Sequence, residues 1–190
     1  MWAGGFYCCV AADTDFPTNG AQLCIAGQGV KSYKPGRLEA QDGMVYEGNI
    51  EYISCIGAEE RAREMGQAKA VFVPSEYSEP FGNLAVEAHM CGTPVITTDW
   101  GAFPETVEHG RTGWRCRTLD HFLWAAESLQ QFDPTYISQQ AASLYSMDAV
   151  KYRYQEYFEM LGDLWDEGWY ARRIERQRIQ LVMPSSGKRQ

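Results

Sequence analysis

The chain has 190 residues, 45% of them apolar and 22% charged, which suits one ordered globular domain with a real core and leaves no room for two full Rossmann-type domains. The net charge of −8 excludes broad contact with nucleic acid or an anionic membrane, since both would be repelled at long range. Any phosphate ligand must be gripped locally.

The opening MWAGGFYCCVAAD has no basic flank, and its apolar run soon meets Asp13, so it reads as neither a signal peptide nor a membrane span. The run Asp13-Thr14-Asp15 has the DxD form of a metal and diphosphate motif but lacks the strand context which that motif needs. A strand is predicted over 22–26. Gly27 and Gly29 follow it as turn residues, and the segment Gly27-Gln28-Gly29-Val30-Lys31-Ser32 lacks the third glycine of a dinucleotide fingerprint. Further strands are predicted over 44–46, 70–74, 94–98 and 113–116, with helices over 58–67, 83–91 and 104–108. This alternation is the pattern of βα units around a parallel sheet.

After Cys116 the pattern is helical: 119–130, 134–145, then 148 to about 178. Asp133 before Pro134 is a sound helix start, because Asp can cap and Pro fits the first turn. The last helix is rich in aromatics (Tyr152, Tyr154, Tyr157, Phe158, Trp165, Trp169, Tyr170), which packing onto the sheet domain would explain. The organisation expected is a Rossmann-like domain over 1–146, a helical extension packing on it over 147–180, and a flexible tail over 181–190. Arg172, Arg173, Arg176, Arg178, Lys188 and Arg189 make that end basic, as a solvated helix face and frayed tail would. The six cysteines have no CxxC or zinc-ribbon spacing, and several lie in apolar runs, so a reducing cytoplasm is the expected compartment. His89, Cys91, His109, Cys116 and His121 likewise match no common zinc spacing.

The segment 70–91 carries the chemistry. A strand, AVFVP, ends in a polar loop with Glu76, Ser78 and Glu79, and Pro80, Phe81 and Gly82 lead into a helix at Asn83. In a doubly wound sheet, ligands bind beyond the carboxyl ends of the strands, where a helix N-terminus offers free amides and a positive dipole end to a phosphate. Glu79 on the loop and Glu87 one turn into the helix would flank that anion pocket, and carboxylates accept hydrogen bonds well from the vicinal hydroxyls of a ribose or hexose. The stripe Leu84, Ala88 and Cys91 is apolar and can face the sheet.

The stretch EPFGNLAVEAHMCGTPVITTDWGAFPETVEHGRTG resembles the signature of the retaining group-one glycosyltransferases, also called glycosyltransferase family four. Glu79-x7-Glu87 comes with EPFG, a small-residue helix, GTPVI, GAFPE and HGRTG in the family's order. The resemblance implies a GT-B fold, of which this chain is the C-terminal donor-binding half, and a nucleotide diphosphate sugar as substrate with no metal or other cofactor. It implies that Glu87 holds the ribose, that Glu79 contacts the transferred sugar as the catalytic group, and that Phe81, Gly82, Asn83 and Leu84 present backbone amides to the diphosphate and sugar. Gly48, Asn49 and Ile50 resemble the loop that touches the base, and a plain turn there is an equally open reading. Glu105 reads as a brace or cap of its own helix.

The resemblance covers about residues 5 to 165. The family's donor domain begins with a strand followed by glycine-arginine and lysine-glycine pairs that grip the diphosphate; neither pair is present, and Lys31 and Lys34 do not match them. Losing that central strand would leave unpaired backbone groups. Two readings stand: residues 5–11 form a strand that fills the gap, or they stay helical and a second chain, as in a homodimer, covers the surface. Two functions also stand: a hexosyl-type transferase completed by an acceptor domain, or a non-catalytic module that binds a nucleotide sugar or a partner. An epimerase of the same fold is a distant third.

Overall fold

The computed structural model describes residues 7–11 and 22–167. It divides into two compact units, Met1–Ser146 and Met147–Gln190. The first unit runs β1 (Tyr7–Ala11), β2 (Leu23–Ala26), β3 (Val30–Lys34), β4 (Arg37–Ala40), β5 (Val45–Glu47), β6 (Ile50–Ser54), α1 (Ala58–Gln67), β7 (Ala68–Val73), α2 (Asn83–Met90), β8 (Val95–Thr98), α3 (Phe103–Thr106), β9 (Gly113–Cys116), α4 (Leu119–Glu127) and α5 (Pro134–Tyr145).

The main sheet has the order β6-β2-β1-β7-β8-β9. β6 is parallel to β2, and β7, β8 and β9 are mutually parallel, while β1 is antiparallel to both of its neighbours. The five other strands therefore share one direction, and the expected parallel sheet holds with one reversed strand at its centre. Of the two readings of residues 5–11, strand is the one observed over the described part, Tyr7–Ala11. Cys9 pairs with Cys24 on one side and with Val71 on the other, which satisfies backbone groups that a gap would orphan.

Period-two alternation sends side chains to both faces. Val71, Val73 and Val95 join Met65, Ala85, Ala88, Phe103 and Val107 beneath α1, α2 and α3. From the other face, Ala70 and Ile96 join Trp114, Cys116 and Ala125 beneath α4. Both faces are covered, so β7 is apolar from Ala70 to Val73 and β8, VITT, is buried at every residue, which makes both legible.

The expected elements 58–67, 113–116 and 134–145 coincide with α1, β9 and α5. Asp133 accepts from the Thr135 amide at 2.9 Å, the cap expected ahead of Pro134. The predicted strand over 44–46 requires correction. β5 is an exposed edge of a separate antiparallel sheet, β3-β4-β5, and not a member of the main one. That meander fills the crossover between the parallel strands β2 and β6. Leu38 and Ala40 bury it against Ile25 and Ile50, and the Tyr33 hydroxyl donates to Ile50 O at 3.0 Å.

The second unit holds α6 (Met147–Glu167), on which Tyr154 and Phe158 stack at 6.4 Å. Asp13-Thr14-Asp15, Trp169, Tyr170, the C-terminal basic residues and the tail over 181–190 lie outside the described residues. Among the described residues no helix is long and apolar enough to cross a membrane.

His89 of α2 is fully buried, and its Nε2–H donates to Thr112 O at 2.9 Å. Burial pushes its pKa down to about 4 against a smaller upward pull from the Thr112 carbonyl. The folded value lies below the ordinary 6.5, so the neutral ring's contribution is complete above pH 6.5 and is lost as pH falls toward 4. Thermal melts followed by circular dichroism should show the melting temperature dropping across that window, with linked stability on the order of 3 kcal/mol. His89→Gln, which keeps a donor but cannot take up the proton, should flatten the slope; an unchanged slope would assign the titration elsewhere.

Candidate functional site

β7 leads to the carboxyl edge of the sheet, and the loop after it ends at Gly82, the residue that caps α2. Gly82 has φ 80 and ψ 49, a left-handed conformation open to glycine at little cost. A Cβ there would also lie 3.1 Å from Cε1 of Phe103. Ala85 and Val86 donate to Gly82 O at 3.0 and 3.2 Å. The amides of Asn83 and Leu84 precede the first intrahelical bond, so they point out of the helix start as available donors. The Gly82 amide donates to Glu79 Oε1 at 3.2 Å, while the Tyr77 hydroxyl makes a short contact with Glu79 Oε2.

A second loop, from β8 to α3, supports the first. Ala102 N donates to Glu79 O at 2.8 Å, and Trp100 Nε1 donates to Tyr77 O at 3.2 Å. Between them, Gly101 lies flat on the Glu79 peptide: a Cβ on it would fall 2.5 Å from Glu79 N and 2.6 Å from Glu79 O. Two adjacent strand-end loops are thus locked together behind the Glu79 side chain.

Glu87 meets a partner that local sequence spacing does not reveal. Arg61 of α1 donates from Nε to Oε2 at 2.5 Å and from Nη2 to Oε1 at 3.1 Å, a bidentate pair that fixes the plane of the carboxylate. The two side chains are 25% and 43% exposed, so the Glu87 carboxylate stays open to a ligand. Leu84, Ala88 and Cys91 face the core. Phe81 is exposed, with its ring edge-on to Tyr145 at 5.9 Å, and Asn83 is exposed at the helix start.

Glu79, Phe81, Gly82, Asn83, Leu84 and Glu87 therefore gather on one loop and one helix turn. Gly48, Asn49 and Ile50 do not join them. Their turn leads into the first residue of β6, and β6 runs parallel to β2 and in the direction of β7, so it lies at the amino edge of the sheet, opposite Glu79. They follow β5, which belongs to the separate β3-β4-β5 sheet and so does not lead to the carboxyl edge of the main one. The carboxyl end of β6 is Ser54, held at φ 61, which costs a non-glycine residue roughly 1–2 kcal/mol. Cys55, Ile56 and Gly57 then lead into α1 and Arg61. Gly27 and Gly29, both at positive φ, turn the chain after β2 at this same edge, and the Tyr52 hydroxyl ties Gly27 O at 2.8 Å. Glu105 is exposed in the first turn of α3, where its charge faces the positive end of that helix's dipole.

His89 and Cys91 sit under α2, whereas His109, Cys116 and His121 line a cleft beside β9. Among the described residues no group of three or more His, Cys, Asp or Glu side chains is placed to hold a metal ion.

Residues 10–131 match the family model described as glycosyl transferases group 1. The chain is 36% identical over 94 residues to a D-inositol 3-phosphate glycosyltransferase of Pseudarthrobacter chlorophenolicus, covering 48% of this chain and 22% of that one. It is 31% identical over 108 residues to a glycogen synthase of Mycobacterium tuberculosis, covering 53% and 24%. The chain thus spans about a quarter of the length of these relatives. Among solved structures, sucrose-phosphate synthase from Thermosynechococcus elongatus superposes with a TM-score of 0.52 at 26% identity, covering 60% of this chain and 31% of that chain.

Gly101→Ala should displace the Glu79 loop, because the new methyl group overlaps backbone atoms that cannot yield. A loss of about 2–4 kcal/mol is expected from overlap plus the φ of +63, read as a lower denaturation midpoint in urea. An unchanged midpoint would mean that the two loops are not locked together.

Proposed function

This chain belongs to the glycosyl transferases group 1 family, and on that premise we propose that it is the donor-binding half of a glycosyltransferase, taking a sugar from a nucleotide-sugar donor with retention of anomeric configuration when an acceptor domain completes it. The observation that carries the reading is a left-handed glycine opening a helix at the carboxyl edge of the sheet, with one carboxylate before it and another one turn after.

In this reading the diphosphate lies over the start of α2, where the amides of Phe81, Asn83 and Leu84 and the helix dipole meet its charge. The Gly82 amide is committed to Glu79, so its part is to aim that carboxylate. Glu79 contacts the transferred sugar and stabilises the positive charge that develops at the anomeric carbon as the bond to phosphate breaks. Glu87 accepts from the ribose hydroxyls with the lone pairs that Arg61 leaves unused. The base is assigned to the loop over 54–57 in place of Gly48, Asn49 and Ile50, because that loop opens on the right edge and feeds the helix that touches Glu87. No metal is invoked. A hexose as the transferred sugar and a reducing, cytoplasmic setting complete the proposal; free thiols at Cys24, Cys55, Cys91 and Cys116 suit the latter.

A non-catalytic nucleotide-sugar-binding module is the second reading, favoured by one observation: both oxygens of Glu79 are already held, by Tyr77 and by Gly82. Turnover of a donor in the presence of an acceptor domain separates the two, since a module would bind the donor without consuming it.

Titration calorimetry with nucleoside diphosphates and their sugars should reveal a preferred ligand. Glu87→Ala should weaken it about 10- to 100-fold, the value of a charge-assisted hydrogen-bond pair to a diol. Undiminished affinity in that variant would remove Glu87 from the ribose.

A further inference from the structure

Beside edge strand β9, outside the donor loop, lies an open cleft of about 480 Å³ lined by Asp99, His109, Trp114, Arg115, Cys116, Arg117, His121 and Trp124. Arg115 and Cys116 at the end of β9, with Arg117 just after it, place the cleft two strands from β7 in the sheet order. Its charge differs from that of the whole chain. Asp99 bonds Arg115 Nη1 at 3.1 Å and Arg117 Nε at 2.8 Å, so two guanidinium groups share one carboxylate and leave a positive excess in a protein of net charge −8.

Arg117 is 71% exposed, and beyond its Nε bond its two terminal nitrogens have no partner among the described residues. The Nε of Arg115 is buried and also lacks a partner there. These are planar donor sets suited to phosphate or carboxylate oxygens. Burial, aided by Asp99, pushes the Cys116 thiol up to about 11, which removes a thiolate from consideration as the reactive or metal-binding group of the cleft.

The aromatic rings narrow the ligand further. Trp114 is covered: its ring meets His109 at 5.0 Å and Trp124 at 4.6 Å, both in edge-to-face contact. Trp124 is 51% exposed and offers a single free platform, with His121 one turn before it on α4. Among the described residues of the cleft no parallel pair of rings is present to sandwich a flat base. One apolar platform rimmed by hydroxyl acceptors and donors is instead the arrangement that takes the C–H face of a pyranose.

We infer that this cleft is a second saccharide site, which binds a hexose ring carrying an anionic group, phosphate or carboxylate, with the ring on Trp124 and the anion on Arg117. Asp99 accepts from sugar hydroxyls with the lone pairs its two arginines leave. The site is independent of the donor reading, since it shares no residue with Glu79 through Glu87.

The full chain should be titrated by calorimetry with glucose 6-phosphate, glucuronate, glucose and inorganic phosphate. Glucose 6-phosphate or glucuronate should bind saturably and at least tenfold more tightly than glucose or phosphate alone. Arg117→Gln should abolish the preference for the charged sugar, and Trp124→Ala should weaken binding at least fivefold. Both side chains are largely exposed, so the variants should keep the wild-type circular dichroism spectrum. Glu87→Ala should leave this binding unchanged, which separates a failure here from a failure of the donor site. The absence of saturable binding for both charged sugars, equal binding of inorganic phosphate, or indifference to both cleft variants would each overturn the assignment.

Discussion

The peptide of Glu79 lies so close to the α-carbon of Gly101 that no side chain fits between them, and Ala102 ties the same peptide down with its amide. Parallel strands impose this proximity, because the loops after β7 and β8 leave neighbouring strands a single spacing apart at one edge. With the backbone fixed there, the short run from Glu79 to Gly82 has few ways to reach α2, and the left-handed turn at Gly82 is the one it takes. That turn points the helix start outward and returns the Gly82 amide to the Glu79 side chain. The position of the carboxylate and the direction of the helix dipole are therefore consequences of one backbone contact.

Arg61 and Glu87 express a second constraint, that of placing a carboxylate near the proposed phosphate. Glu87 alone would repel the ligand, and the guanidinium beside it cancels that field over the distance that matters. The pair is partly exposed, so its contribution to fold stability is at most about 1 kcal/mol. Its effect is on orientation, because a bidentate grip holds the carboxylate plane while half its lone pairs remain for hydroxyl donors.

The strands and helices that the sequence made legible are those whose partners are local or whose burial is complete. α5 announces itself through Asp133 and Pro134, and β7 and β8 through apolar runs buried on both faces. VKSYK and RLEA carry no such run, since β3 is largely exposed and β4 buries only the alternate residues Leu38 and Ala40, so the meander they form has no continuous apolar signal. Without that meander, 44–46 reads as a main-sheet strand and Gly48, Asn49 and Ile50 as a loop at its carboxyl end, whereas they lie at the amino edge of the main sheet. At the candidate site, Glu79 through Glu87 was legible because loop and helix are contiguous. Arg61 lies 26 residues from Glu87, and nothing in the spacing links them; only the packing of α1 beside α2 does.

A diphosphate at the proposed site meets few free side-chain cations among the described residues. Lys31 is paired with Glu39 at 2.6 Å on the meander, and Arg115 and Arg117, at the end of β9 and just after it, lie two strands from β7, too far along the sheet to reach the start of α2. Arg61 is engaged by Glu87. What remains at the helix start is backbone: amides before the first intrahelical bond and a dipole equivalent to roughly half a positive charge. Backbone donors add no net charge and need no flexible side chain to be ordered, so they lose less entropy on meeting a ligand than a lysine would. Their reach is one turn, which is why the proposed diphosphate site depends on Gly82 allowing close approach, and why the backbone contact at Gly101 governs binding as well as fold.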